Sequence, residues 1–157
     1  MIKEIEYTKG DATQPVGSGN KIIVHVCNDI GGWGKGFVMA ISKRWKGPEQ
    51  SYRSWFTSKN NFGLGEVQLI QVDLAIWVAN LIGQRNIRPS NGIPPIRYEA
   101  VAAGLEKVAQ FATENDASVH MPRIGCGLAG GTWEKMEPII KSALTEKGIK
   151  VLVYDLQ

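Results

Sequence analysis

Hydrophobic and polar residues alternate or cluster along the chain in patterns that predict six strands. Isoleucines alternate with charged side chains over residues 3–7, as in a half-buried strand. Residues 22–27 are almost uniformly apolar and β-branched, which is typical of a strand covered on both faces. The other predicted strands are residues 66–72, 76–82, 118–121 and 149–154, of which the first two are expected to form a hairpin.

Between these strands, apolar residues recur at helical spacing. Helices are predicted over residues 37–45, 49–59, 98–112 and 132–144. Strands interleaved with helices indicate an α/β fold, a three-layer α/β/α sandwich with a mixed central sheet of about six strands. In such sheets ligands bind beyond the carboxyl ends of the strands.

Composition narrows the class of protein. With 157 residues, 43% hydrophobic and 21% charged, we expect a single ordinary globular domain. No apolar run has the length of a membrane span and the N-terminus lacks a signal-peptide core, so the expectation is a cytoplasmic protein without a membrane partner. A net charge of +3 without a basic run makes nucleic acid an unexpected partner. The two cysteines are expected as free thiols, and no Cys/His spacing suggests a metal.

Two glycine-rich loops, residues 31–36 and 125–131, each follow a predicted strand and precede a predicted helix. Glycine allows positive φ and close approach of a ligand, and the first turn of a helix favours an anion. Two such loops at equivalent positions suggest a ligand with more than one phosphate, and a pyrophosphate held from both sides fits best.

A dinucleotide-binding fold is an alternative explanation of the second loop. Residues 125–130 match G-x-G-x-x-G, and Asp155 ends the next strand as a ribose-binding acid would. Pro122 interrupts the run from strand to first glycine, and these 157 residues contain no further βα units to extend such a sheet. The first loop is not a phosphate-binding Walker loop either, since Gly36 follows Lys35 where a Ser or Thr is needed.

Three segments taken together resemble the macrodomain family, whose ligand is ADP-ribose. They are Gly10-Asp11-Ala12-Thr13, the pair Asn28-Asp29 before Gly32-Trp33-Gly34-Lys35-Gly36, and the run from Pro122 to Leu128 before a helix. The resemblance spans residues 7–155 and is strongest to the branch that contains terminal ADP-ribose glycohydrolases, the macrodomain of a chromatin remodeller and bacterial ADP-ribosyl hydrolases.

The resemblance implies a set of ligand contacts. Asp11 would accept a hydrogen bond from the adenine amino group, Tyr154 would stack on or flank the adenine, and Asn28 would reach the distal ribose. Backbone N–H groups of residues 34–36 and 126–130 would hold the diphosphate. The full implied binding set is Asp11, Ala12, Asn28, Trp33, Gly34, Lys35, Gly36, Phe37, Gly125, Cys126, Gly127, Leu128, Ala129, Gly130 and Tyr154.

The chain departs from the glycohydrolase pattern at two catalytic positions, where Gln84 and Ala129 replace a lysine and a loop aspartate. The covalent lysine mechanism is therefore excluded. The hypothesis is a hydrolase that removes mono-ADP-ribose from acidic side chains of proteins, without cofactor and as a monomer. In this hypothesis a phosphate of the substrate positions the attacking water. Asn28, Asp29 and Gln84 would hold that water and the hydroxyls of the distal ribose. The alternatives are a non-catalytic ADP-ribose reader and a phosphatase acting on ADP-ribose 1″-phosphate.

Several residues have a structural interpretation beside the functional one. Asp11 either binds adenine or caps a turn, and Asp29 either takes part in catalysis or orders a loop. Cys126 is expected to be a small packing residue rather than a nucleophile with a lowered pKa. Trp33 is expected to cover the ligand rather than to act only in packing.

For two histidines the structural interpretation is stronger than the functional one, and for two arginines the two interpretations are equally supported. His25 and His120 are expected to be satisfied core histidines. Arg85 and Arg88 lie in a long loop, residues 83–95, with three prolines. They are either solvated or face an acidic partner or the modified protein, and long ordered loops are disproportionately functional.

Overall fold

A six-stranded mixed sheet forms the centre of the computed structural model, which describes residues 1–156. Its strands lie in the order β1-β6-β5-β2-β4-β3. Their bounds are β1 Glu6–Lys9, β2 Asn20–Asn28, β3 Val67–Asp73, β4 Ile76–Gln84, β5 Ala117–Met121 and β6 Val151–Asp155. All neighbours pair in parallel except β3, which forms an antiparallel hairpin with β4. The predicted mixed sheet and its hairpin are confirmed.

Four α-helices cover the two faces of this sheet. They are α1 Phe37–Arg44, α2 Gly47–Ser58, α3 Tyr98–Glu114 and α4 Trp133–Ala143, followed by a 3₁₀ turn at Thr145–Lys147. Ile23 of β2 packs with α1 and α2, whereas its neighbours Ile22 and Val24 pack with α3 and α4. Since successive side chains of a strand point to opposite faces, β2 is buried on both sides as its apolar run predicts. The α/β/α sandwich is confirmed.

The first strand begins later than predicted, which is a correction to the 3–7 assignment. Pairing with β6 starts at Glu6, opposite Leu152, and continues to Lys9. Ile5 is buried in the core, but Ile2 is exposed, so the apolar alternation does not mark a pleated, paired segment. A backbone hydrogen bond from Lys3 to Thr145 holds this stretch against the 3₁₀ turn instead.

The five parallel strands all end at the same edge of the sheet, and the loops that follow them meet there. These are the segments after Lys9, Asn28, Gln84, Met121 and Asp155. Both glycine-rich loops therefore lie at one edge. Within residues 1–156, no helix combines the length and apolar character that crossing a bilayer requires.

Candidate functional site

A cleft runs between the two glycine-rich loops at this edge. Its larger part has a volume of about 590 Å³, which is within the size range of small-molecule sites, and its smaller part has about 270 Å³. The residues common to both parts are Val26, Lys35, Val38, Gln84 and Leu128. Leu128 approaches Gly36 across the cleft, so the two loops face each other as opposite walls.

Asn28, the last residue of β2, organises the first glycine loop with its own side chain. Its Oδ1 accepts hydrogen bonds from the N–H groups of Ile30 (3.0 Å) and Gly32 (2.9 Å), and its Nδ2 donates to the carbonyl of Gly32 (3.0 Å). The fully buried Tyr52 hydroxyl lies 2.6 Å from the Asn28 carbonyl oxygen and accepts a hydrogen bond from the N–H of Gly31. Asn28 thus spends most of its hydrogen-bonding capacity on the loop and still borders the larger part of the cleft.

The first loop presents backbone donors to the cleft. The N–H groups of Gly34, Lys35 and Gly36 have no hydrogen-bond acceptor within residues 1–156. Gly36 has φ of +84° and immediately precedes α1, and Gly36, Phe37 and Val38 line the smaller part of the cleft, so the first turn of that helix borders it. Unpaired N–H groups at a helix start favour an anion.

The second loop divides its donors between itself and the cleft. The N–H of Cys126 donates to the Arg123 carbonyl, and that of Gly130 donates to the Gly127 carbonyl. The N–H groups of Gly127, Leu128 and Ala129 have no acceptor in the described part of the chain. Two of the five predicted donors are therefore already used within the loop.

Arg123 braces the start of the second loop. Its guanidinium makes a bidentate ion pair with Asp155, with Nε 2.7 Å from Oδ1 and Nη2 3.0 Å from Oδ2. The same group lies 5.2 Å from the ring centre of Tyr7 and 5.0 Å from that of Trp133. This ion pair lowers the pKa of Asp155 and occupies its carboxylate, which argues against the ribose-binding role of the dinucleotide alternative.

The cleft is lined by cations and by no carboxylate among the described residues. Lys35 and Arg88 border it without an ion-pair partner within residues 1–156, Arg123 borders it with its charge paired to Asp155, and no Asp or Glu lines it. At the end that holds Asn28, Gln84 donates from Nε2 to the carbonyl of Asn86 (3.0 Å), which leaves its Oε1 without a protein partner within residues 1–156. This electrostatic character suits an anionic ligand.

Comparisons with known proteins identify relatives that share this fold. A macrodomain protein from Streptomyces coelicolor is 55% identical to this chain, covers 97% of it with 99% of its own length, and superposes with a TM-score of 0.88. The chain belongs to the macrodomain family. A solved protein of unknown function from Bacteroides thetaiotaomicron is 61% identical over 98% of each chain, with a TM-score of 0.96. No family model matches the chain.

Curated relatives of this macrodomain include one much longer protein and two proteins of similar length to the chain. Chromodomain-helicase-DNA-binding protein 1-like from Mus musculus is 31% identical over 96% of the chain, but the chain spans only 17% of that protein. An ADP-ribose 1''-phosphate phosphatase from Candida albicans is 28% identical, over 87% of the chain and 92% of its own length. ADP-ribose glycohydrolase OARD1 from Bos taurus is 26% identical over 97% and 91%.

Asp29 does not border the cleft of this macrodomain, which changes its interpretation. Its Oδ1 accepts a 2.7 Å hydrogen bond from the N–H of Asn86. The carboxylate thus ties the end of β2 to the segment after β4 and orders that segment rather than the first glycine loop. The structure supports the structural interpretation of Asp29 more than the catalytic one.

Asp11 and Tyr154 lie at the far end of the edge, beyond the cleft. Asp11 accepts two hydrogen bonds from Thr13 through Oδ1, and its Oδ2 lies 4.0 Å from Nη2 of Arg44. The Tyr154 ring is 4% exposed, and its hydroxyl accepts a hydrogen bond from the N–H of Val16 and lies 2.7 Å from Nδ1 of His120. Such burial favours a flanking position of Tyr154 over stacking, and either contact with the adenine stays a prediction. Ala12 is likewise buried against Tyr154 and Phe37.

The aromatic and thiol candidates turn out to be largely structural. Trp33 is 5% exposed and its indole donates to Ser42, so the preference for a ligand cover is not supported, although one edge of the residue borders the cleft. Burial raises the pKa of Cys126, contrary to an activated thiolate, with Arg123 opposing the shift. The expectation of an unreactive packing cysteine fits this environment.

Both histidines are core residues, as expected. His25 hydrogen-bonds Asn80, and His120 lies between Ser118 and Tyr154. Burial lowers the pKa of each to about 4. Each is therefore neutral near pH 7.

Some residues that shape the site escaped the sequence patterns. The sequence does not indicate that Tyr52 contacts Asn28, because Tyr52 occupies an ordinary position on the apolar face of a predicted helix. Arg123 lies two residues before the second loop, within the run from Pro122 to Leu128, and Arg44 ends α1 near Asp11; only their positions in or near predicted motifs offered a clue. Their roles depend on partners that are distant in sequence.

Proposed function

We propose that this macrodomain binds ADP-ribose and hydrolyses the ester bond that joins mono-ADP-ribose to acidic side chains of modified proteins. The observation that carries the proposal is the pair of facing glycine loops whose unpaired N–H groups border one cation-lined cleft. That arrangement fits a diphosphate held from two sides. Two curated relatives named above carry ADP-ribose in their names, which supports the same ligand.

Within this proposal, the diphosphate contacts come from the N–H groups of residues 34–36 and 127–129. The adenosine half extends toward Asp11, whose Oδ2 is left to accept from an exocyclic amino group. The distal ribose lies at the other end, next to Asn28 and Gln84. Phe37 and Gly125 border the smaller part of the cleft between these ends.

The chemistry follows from the absence of a carboxylate among the described residues that line the cleft. A water attacks the anomeric carbon of the distal ribose while the bond from that carbon to the acyl oxygen breaks. The carboxylate leaves with the bonding electron pair, and the proton of the water passes by way of a substrate phosphate oxygen to solvent. The transition state is oxocarbenium-like. Gln84 Oε1 accepts a hydrogen bond from the water or from a ribose hydroxyl, and Asn28 Nδ2 holds the ribose.

Two experiments test this function in order. Calorimetry with free ADP-ribose tests the ligand, and no detectable binding at millimolar ligand contradicts the proposal. Incubation with an automodified ADP-ribosyltransferase then tests hydrolysis. Gln84→Ala is expected to slow release of ADP-ribose at least tenfold with affinity changed less than threefold, and release at the wild-type rate would refute the role of Gln84. The matched control is Gln110→Ala on α3, which removes an exposed glutamine away from the cleft.

A reader function is the second candidate, favoured by the same lack of a carboxylate in the described cleft lining. A reader binds ADP-ribose with the same loops but leaves the modified transferase intact. The two functions therefore separate in the incubation experiment. A phosphatase is tested alongside with ADP-ribose 1″-phosphate, by measuring release of inorganic phosphate.

A further inference from the structure

The segment of residues 85–95, here called the rim loop, carries two arginines and borders the larger part of the cleft. Ile87 and Arg88 border the larger part of the cleft, at the end that also holds Asn28 and Gln84. Arg85 lies on the same loop outside the cleft lining. Neither arginine side chain makes an ion pair or a hydrogen bond within residues 1–156, and the loop contains no acidic residue.

The rim loop is built as an ordered surface. Asn86, at φ +61°, is held through its N–H by Asp29 and through its carbonyl by Gln84. Ser90 and Ile93 exchange backbone hydrogen bonds across Asn91 and Gly92, both at positive φ, which is the geometry of a tight primed turn. A surface ordered in advance binds a partner at a lower entropic cost.

Exposed aliphatic side chains accompany the two arginines. Ile87 is 50% exposed and Ile93 56%, and Ile30, just before the first glycine loop, is 41% exposed. Single-stranded nucleic acids are bound on aromatic platforms, and the rim loop has no aromatic residue. Aliphatic contacts beside two cations fit a polypeptide with acidic residues better than a nucleic acid.

We propose that the rim loop docks the polypeptide attached to the distal ribose and favours acidic residues flanking the modified side chain. This inference rests on the proposed function, because whatever is joined to the distal ribose leaves the cleft past Ile87 and Arg88. The docking attraction comes from Arg85 and Arg88, and Ile87 and Ile93 supply apolar contacts. Since exposed ion pairs contribute modestly, the preference for an acidic flank is expected to be about three- to tenfold.

The test compares two synthetic peptides that carry ADP-ribose through a hydrolysis-resistant linkage. One has glutamates at the two positions on either side of the modified residue, and the other has glutamines there. Dissociation constants are measured at low salt for wild type, Arg85→Gln and Lys150→Gln. Lys150 is an exposed cation at the opposite edge of the sheet, before β6, and is the matched control.

Wild type and Lys150→Gln are expected to prefer the glutamate peptide, and Arg85→Gln is expected to lose at least half of that preference. Free ADP-ribose should bind all three alike, since Arg85 does not line the cleft. Equal binding of both peptides by wild type would overturn the docking proposal, and lack of binding to free ADP-ribose would overturn the proposed function itself. The docking proposal would also be overturned, in favour of nucleic acid, if an ADP-ribosylated oligonucleotide bound wild type more tightly than the glutamate peptide does and bound Arg85→Gln more weakly than wild type.

Discussion

The Oδ1 atom of Asp29 lies 2.7 Å from the backbone nitrogen of Asn86, and this hydrogen bond joins the end of β2 to the segment that follows β4. Gln84 donates to the carbonyl of the same residue. Asn86 is therefore held at both its donor and its acceptor by the two strand ends beneath the cleft. These two contacts fix the start of the rim loop, and a hydrogen bond from the N–H of Arg85 to the Pro95 carbonyl closes its base.

Asp29 is expected to act by positioning this loop, so its charge should matter less than its acceptor oxygen. Asp29→Asn keeps an acceptor and should retain ADP-ribose affinity and hydrolysis within about threefold. Asp29→Ala removes the acceptor of the exposed Asn86 N–H and should destabilise the loop by about 0.5–1.5 kcal/mol. Hydrogen exchange of residues 85–95, together with calorimetry and ADP-ribose release, measures these effects. Loss of hydrolysis in Asp29→Asn with intact affinity would instead assign catalysis to the carboxylate.

Glycine substitutions separate stability from ligand contact in the first loop. Gly31 has φ of +79°, and a Cβ there would lie 2.5 Å from the Phe56 ring, so Gly31→Ala should lower the free energy of unfolding by about 1–3 kcal/mol. Gly34 has no such strain and open space around it. Gly34→Ala should therefore unfold like wild type, within about 0.5 kcal/mol, yet weaken ADP-ribose binding if the ligand lies against this backbone.

Gly127→Ala is the corresponding probe of the second loop, again with open space and no positive φ. Gly63→Ala, in the equally open loop before β3, is the control. Chemical denaturation and calorimetry on the same samples are the measurements. Unchanged affinity in both Gly34→Ala and Gly127→Ala would contradict the two-sided diphosphate site.

The buried His25 should make the protein sensitive to mild acid. Burial lowers its pKa to about 4, so the unfolded chain, with a pKa near 6.5, binds the proton more strongly. The free energy of unfolding should fall as the pH decreases from about 6.5 to about 4, by up to about 3 kcal/mol, and level off below that range. His120 shifts in the same direction.

Urea denaturation at pH 7, 6 and 5 measures this effect above the range where most carboxylates titrate. His25→Gln, which keeps a hydrogen-bonding side chain toward Asn80, should make the pH dependence of stability shallower, with the remainder carried by His120, although it lowers stability at pH 7. An equally steep profile in that variant would show that other groups carry the acid sensitivity.

Cys126 should be a slow nucleophile and dispensable for hydrolysis. Burial raises the pKa of its thiol, which reduces the thiolate fraction at pH 7. In Cys27→Ser, where Cys126 is the remaining cysteine of the chain, labelling by iodoacetamide at pH 7 should be slower than labelling of free glutathione. Cys126→Ser should release ADP-ribose at the wild-type rate within about twofold. Rapid labelling together with loss of hydrolysis would restore the nucleophile hypothesis.

The sequence by itself determined the layers of this protein and the positions of its two glycine-rich loops at strand ends. The apolar run of β2 predicts a strand buried on both faces, because the side chains of such a run point to both faces and are removed from water only when both faces are covered. The glycines of the two loops predict backbone close to a ligand, because few other residues tolerate those conformations. These signals are local, so they can be read without the fold.

Only the tertiary structure decided how the polar side chains divide between structure and site. Asn28 bonds its own loop, Asp29 bonds the rim loop, and Tyr154 is buried beside His120. The sequence does not distinguish these roles, because a side-chain amide, carboxylate or phenol can fill any of them. The partner of each side chain depends on segments that are distant in sequence, such as Asn86, which lies 57 residues after Asp29. Only the packed sheet brings these segments together.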